Sequence, residues 1–318
     1  MDNRKALDGQ AYGLMTLFCL LLGLQQIALK FVAADISPIL QIAIRSGIAA
    51  VLVGLVIYYR RIPLVFAQGS WKPGILVGVL FSLEYVFLGE ALRYTSAAHA
   101  VVFLYTSPIF TVLVLHFMMP SERLAPLQWG GVLLAFIGIV IAFLETDTRL
   151  YDDPKAVLWG DFLAILAGAS WGLTTIVIRV SSLSRISSMQ TLMYQLVIGC
   201  LVLSGSAVAL DQLYFNPSVA ALLSIGFQSI MVSFLALMIW FWLINQYLAS
   251  RIGVLSFMTP VIGVIMGAWL LGETLTTSFI VGSICVLLGV VLVSAYGMIM
   301  SAYDKRKSKL SIQSECLK

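Results

Sequence analysis

The chain carries its apolar pattern twice. Five long apolar segments occupy residues 11–144 and five more occupy residues 158–298, the second set echoing the first at an offset of about 150 residues. Five is an odd number. A repeat that crosses a bilayer an odd number of times returns upside down. Inverted repeats of membrane helices are a recurring plan of secondary transporters, with the solute site where the halves meet near the midplane.

Composition decides the solvent. Of 318 residues, 60% are hydrophobic and 11% are charged, against about 25% charged in a soluble domain. A chain this apolar cannot cover its surface in water, so the lipid bilayer is its expected surroundings. Each span needs about 20 residues, and ten fit: 11–33, 38–59, 73–94, 97–119, 126–144, 158–180, 187–210, 218–247, 251–271 and 276–298. The segments are long and lack strict alternation, which favours helices over a membrane barrel. Asp35-Ile36-Ser37-Pro38, Lys72-Pro73-Gly74 and Asn216-Pro217-Ser218 punctuate them. The expected protein is an all-α integral membrane protein of ten transmembrane helices in two inverted five-helix repeats. A short segment 1–10, an external connector 145–157 and a basic tail 299–318 complete the chain. The apolar stretch after Met1–Lys5 is too long for a signal-peptide core and reads as a retained first helix.

Basic residues set the orientation. With both termini in the cytoplasm, Arg60, Arg61, Lys72, Arg123, Arg179, Arg185, Arg251 and the tail fall inside. Lys30, Arg93, Arg149 and Lys155 fall outside. The net charge of +4 therefore reads as a topology signal and not as a nucleic-acid surface. Cys19, Cys200 and Cys285 lie within apolar segments and form no metal-ligand spacing.

The repeat extends to individual residues. Leu22-Gly23-Leu24-Gln25-Gln26 aligns with Trp171-Gly172-Leu173-Thr174-Thr175, and the terminal cation Lys30 with Arg179. Gln41 meets Gln190 and Arg45 meets Tyr194. Tyr105-Thr106-Ser107-Pro108 matches Phe257-Met258-Thr259-Pro260, each followed by Glu122 or Glu273. Gly131 and Gly138 match Gly282 and Gly289.

On these motifs the chain resembles the EamA-type branch of the drug/metabolite transporter superfamily. The shared features are the Gly-to-Lys/Arg ending of the first helix of each half, the mid-helix proline of the fourth, and the Pro-Ser-Glu-Arg or Gly-Glu-Thr that closes it. The resemblance spans about residues 10–298 and implies ten helices, alternating access, and export or exchange of small metabolites or amino acids across the inner membrane. One departure stands out. Leu22 occupies the first-half position where the second half has Trp171.

Ionisable groups at bilayer depth cost at least about 2.5–3.5 kcal/mol, so Arg45 and Glu84 need a reason. At about 1.5 Å of rise per residue, both lie on the order of 10–15 Å below the outer surface, with Gln25, Gln26, Tyr105 and Gln228. As a solute site, this layer gives Glu84 the role of proton acceptor or partner of an amine. Arg45 takes a carboxylate, and Tyr85, Phe81 and Trp171 form aromatic walls. The alternative is a buried Arg45–Glu84 pair that only fixes packing. Lys30, Arg93 and Arg179 read as snorkelling ends, and Glu90–Arg93 as a local pair. Asp161 reads as a first-turn acid, Glu122 and Glu273 as caps, and His99 and His116 as interfacial. Pro108 and Pro260 read as hinges or kinks. Gly74/Gly78, Gly168/Gly172 and Gly263/Gly267 permit close helix approach, within the bundle or between the copies of a homodimer.

No nucleotide-binding, nucleophile-elbow or zinc-hydrolase signature occurs. Neither a cofactor nor a metal is expected, and coupling falls to an ion gradient, with protons through Glu84 as the candidate, or to exchange. The expected function is a secondary carrier of an amino-acid-like solute, with a cationic-amphiphile exporter as the alternative within transport. A membrane-embedded enzyme using Glu84 with Arg45, or a non-transporting sensor, would be another class. Neither a second catalytic group nor an output domain is evident in the sequence.

Overall fold

Apolar runs with side-chain caps at their starts give this chain its helices. The computed structural model describes residues 8–64, 69–118, 123–143, 154–247, 252 and 255–315. The helices are α1 (Gly9–Phe31), α2 (Pro38–Tyr59), α3 (Trp71–Tyr94), α4 (Ala97–Leu104), α5 (Ser107–Met118), α6 (Pro126–Phe143), α7 (Pro154–Val180), α8 (Ser188–Ala209), α9 (Val219–Gly226), α10 (Leu237–Gln246), α11 (Met258–Leu270) and α12 (Thr277–Glu315). A π-helical stretch, Phe227–Ala236, joins α9 to α10 in one continuous rod. Among the described residues, eight helices are long and apolar enough to cross a membrane, and the apolar helices Pro126–Ala142 and Met258–Leu270 are shorter. Among the described residues there is no strand, only one bridge between Ile36 and Phe215.

Local chemistry is duplicated along with the fold. Ser37 caps α2 by accepting from Leu40 N, with Pro38 at the position where a missing N–H costs nothing. Ser187, its counterpart, caps α8 through Met189 N. Both helices end the same way. Arg61 (φ 50°) and Asp211 (φ 54°) take left-handed backbone. Ile62 N then bonds Ile57 O at 3.0 Å, as Gln212 N bonds Ala207 O at 2.8 Å. Each is the 6→1 closure of a helix C-terminus, made here without glycine.

Packing is reciprocal between the halves. α1 lies on α11, and α7 lies on α4 and α5. A Cβ on Gly23 would meet Ile262 and Gly263, and a Cβ on Gly172 would meet Phe110 and Thr111. These are the aligned positions of the two repeats. α6 packs along α12. There Gly131 faces Gly289 and Gly138 faces Gly282, with a Cβ on Gly138 falling 2.6 Å from Gly282 O. Exchanging the halves maps one contact onto the other, the mark of a two-fold relation. The other glycine pairs are also spent inside the bundle. Gly78 sits under Ile198, Gly168 against Leu104 O, and Gly263 against Val101.

Several expectations are revised. The fourth span breaks at Tyr105–Thr106, where Thr106 Oγ1 donates to Phe103 O at 2.6 Å. Pro108 stands just past this break, and Pro260 just past the turn at Ser256–Phe257, rather than inside an unbroken helix. They stand in the first turn of α5 and of α11, where proline is tolerated because those N–H groups lack intrahelical partners. α7 begins at Pro154, so Asp161 is not in its first turn. α12 continues past 298 to Glu315. Glu122, Arg251 and most of the connector lie outside the described residues.

One end of the bundle is tightly sealed. Loops 32–37 and 210–218, from opposite halves, are strapped together. Tyr214 Oη donates to Ala33 O at 2.7 Å, Ser37 Oγ to Gln212 O at 2.7 Å, and Asn216 N to Asp35 O at 2.7 Å. Gln212 Nε2 donates to Glu90, which also pairs with Arg93 at 3.1 Å as the sequence spacing suggests.

Candidate functional site

The boundary between the halves encloses a cavity in two connected parts. The deeper part, about 230 Å³, is walled by Gln25 and Gln26 of α1, Arg45 of α2, Phe81, Glu84 and Tyr85 of α3, and Tyr105 at the α4–α5 break. The second half contributes Trp171, Gln195 and Ser233. The larger part, about 540 Å³, shares Leu22, Tyr105, Trp171 and Gln195 with the first. It runs past Phe18 and Trp240 to Ile178, Ser184 and Ser188, at the end opposite the strapped loops. Helix breaks make this space. α4 ends at Tyr105, whose ring meets Trp171 edge-on at 5.3 Å. The π-helical stretch supplies Val232, Ser233 and Ala236, and such stretches are frequent at functional sites.

The deep wall is polar and only partly satisfied. Arg45 is 3% exposed, yet its Nε and Nη1 find no hydrogen-bond acceptor. Its guanidinium lies over the Tyr85 ring, 4.6 Å from the centroid, and Phe81 packs edge-on against Tyr85 at 4.8 Å. Among the described residues, no ion pair joins Arg45 to Glu84. A buried pair that merely fixes packing is thus not formed in this state. Gln26 Oε1 is likewise buried without a donor. Unmade bonds to buried charged groups are expensive, and three such atoms lie on one cavity wall. The opposite wall is aromatic. Phe18 stacks on Trp240 at 5.1 Å, beside Trp171.

The structure brings together Glu84, Arg45, Gln25, Gln26, Tyr105, Tyr85 and Trp171 as expected. Leu22, at the first-half departure, lines both parts of the cavity. Gln228 is not there. It is fully buried and donates to Gln41 Oε1 and Ser224 Oγ, both at 2.9 Å. Its side chain lies on a helix face turned away from the cavity. Sequence reasoning missed Gln195, Ser233, Phe18 and Trp240. Gln195 carried a signal, a lone amide inside an apolar span.

A family pattern matches residues 10–144 and again 158–295, described as the EamA-like transporter family. The chain belongs to the EamA-like transporter family. It is a multi-pass protein of the inner membrane. Its family members include YoaV, an uncharacterized transporter of Bacillus subtilis, 23% identical over 276 residues, which are 85% of this chain and 92% of the relative. A probable amino-acid metabolite efflux pump of Salmonella typhimurium is 24% identical over 276 residues, covering 84% of this chain and 89% of that one. A solved crystal structure at 18% identity superposes with a TM-score of 0.61, covering 92% of this chain and 99% of the other, and shares the fold.

Proposed function

We propose that this EamA-like protein is a secondary carrier that exports or exchanges a small amino-acid-like solute by alternating access. In this reading ten helices cross the bilayer as two inverted repeats, with both termini in the cytoplasm. The strapped Lys30 end then faces outward, and the cavity opens inward past Ser184 and Ser188. The supporting observation is the cavity between the halves with Arg45 on its wall. That guanidinium is buried and keeps Nε and Nη1 uncommitted, cationic donors for charge-assisted bonds to a carboxylate. Glu84 lines the same pocket and receives the solute's ammonium or, between solutes, a proton. The aromatic approach by Phe18, Trp171 and Trp240 takes the apolar body. The Salmonella relative, a probable amino-acid metabolite efflux pump, supports such a solute. A cationic amphiphile fits less well, because it would bring its charge beside Arg45.

Counterflow in proteoliposomes tests this, with a labelled panel of amino acids, purines and amines and with Glu84→Gln as the paired control. Accumulation of the amino-acid class that vanishes in the variant supports the carrier and its site. Absence of accumulation for every solute in the wild type refutes the reading.

A further inference from the structure

Beyond the Gln26 and Tyr105 end of the cavity lies a second group of charged side chains, assembled from segments far apart in sequence. Asp161 of α7 is 2% exposed. It accepts from the Thr95 hydroxyl and lies 2.9 Å from His99 Nδ1. The His99 ring stacks on Phe279 of α12 at 3.9 Å. Glu273, 6% exposed, reaches from the α11–α12 connector to accept from Ala97 N at 2.6 Å and Ala98 N at 3.0 Å. It thereby caps the N-terminus of α4 in the other half. Lys30 donates to Thr95 O, with Asp161 and Glu273 as the acids nearest to it. His99 is thus no isolated interfacial residue, and Lys30 turns inward instead of snorkelling.

Two facts set this cluster apart from ordinary packing. First, its bonds cross the seam. Lys30, Thr95, Ala97, Ala98 and His99 belong to residues 10–144, and Asp161, Glu273 and Phe279 to residues 158–295, so all contacts but Lys30–Thr95 join the halves. Second, it sits directly above the cavity. Lys30 is four residues beyond Gln26 on α1, about 6 Å of rise, and His99 is six before Tyr105, about 9 Å. The layer between is the apolar plug of Ile27, Val101 and Val102. Gly267 leaves room for the latch, because a Cβ there would stand 2.7 Å from Glu273 Oε2. Apolar packing at these positions would hold the seam at least as well. Hydrogen bonds and charges can be exchanged for water when the seam parts.

We propose that Glu273, Asp161, His99, Thr95 and Lys30 form the latch of the gate at this end. Glu273 is the hook on α4, and solute passes on the Lys30 side when these bonds give way. The assignment rests on the carrier reading, but its test needs no solute. In a full-length chain with Cys19, Cys200, Cys285 and Cys316 replaced by alanine, Gln25→Cys reports cavity access. A membrane-impermeant thiol reagent is added on the Lys30 side of uniformly oriented proteoliposomes. Glu273→Gln and, separately, Asp161→Asn should speed labelling roughly tenfold, the change one charge-assisted hydrogen bond makes to a two-state opening. Unchanged labelling in both variants overturns the latch. A second arm guards against variants that fold poorly. Ala98→Cys with Glu273→Cys, joined by a reducible bridge, should lose labelling of the Gln25→Cys reporter and regain it on reduction. Full labelling while bridged also overturns it. Failure of the carrier reading shows elsewhere, as absent counterflow in the wild type.

Discussion

The glycine seam between α6 and α12 gives the sharpest structural test. A methyl group on Gly138 would lie 2.6 Å from Gly282 O and 2.7 Å from Val286 N, where carbon contacts are comfortable at about 3.5 Å. Both neighbours are backbone, so no rotamer can relieve the clash. α6 and α12 must part by most of an ångström. A gap of about 0.5–1 Å forfeits a quarter to a half of each dispersion contact along the seam, and overpacking of this kind costs about 1–3 kcal/mol. At about 2 °C per kcal/mol for a chain this long, Gly138→Ala should lower the melting temperature in detergent by about 2–6 °C. Gly282→Ala strikes the same seam from the other side and should behave alike. The double variant should fall short of the sum, because the helices have already separated. Neither helix contributes to the cavity, so the half-saturation for solute should stay unchanged. A wild-type melting temperature in either single variant, or full additivity in the double, would refute the reasoning.

Three further outcomes are expected. Arg45→Ala removes both uncommitted N–H groups and should raise the half-saturation for a carboxylate-bearing solute about a hundredfold in counterflow, with Arg45→Lys intermediate because a point charge replaces a fork. Gln228→Leu removes the shorter of two donors to the buried Gln41 Oε1 and should cost about 1–3 kcal/mol, read as a lower melting temperature with unchanged solute affinity. Asp35→Ala removes the acceptor that Asn216 Nδ2 and the Ser218 hydroxyl use across the seam, and should speed thiol labelling from the Lys30 side by a smaller factor than Glu273→Gln.

The fold was legible because lipid imposes a simple grammar. Long apolar runs, serines at 37, 187 and 218, and paired glycines survive as sequence patterns, and each became a span, a cap or a contact. The cavity was legible for a related reason. A charge such as Arg45 inside an apolar run is costly enough to stand out. What remained hidden depends on azimuth and on distance in the chain. Gln228 and Ser233 are five residues apart on one rod, and only the packed bundle decides which meets the cavity. The partners His99 and Asp161 are 62 residues apart, and Glu273 is 176 from Ala97. No local periodicity announces such meetings. The break at Tyr105, by contrast, was announced by Pro108, which removes a helical N–H from the middle of the span.

The π-helical stretch at Phe227–Ala236 has no twin, for α3, its first-half counterpart, is α-helical throughout. Arg45 and Glu84, too, both ride on the first half. A chain with identical halves would rest equally well facing either compartment, and its two faces would present the same site. Here that degeneracy is lifted. On the carrier reading proposed above, such a chain would rest on one side of the membrane and offer its solute different walls on each, so the rates of its two conformational strokes would differ.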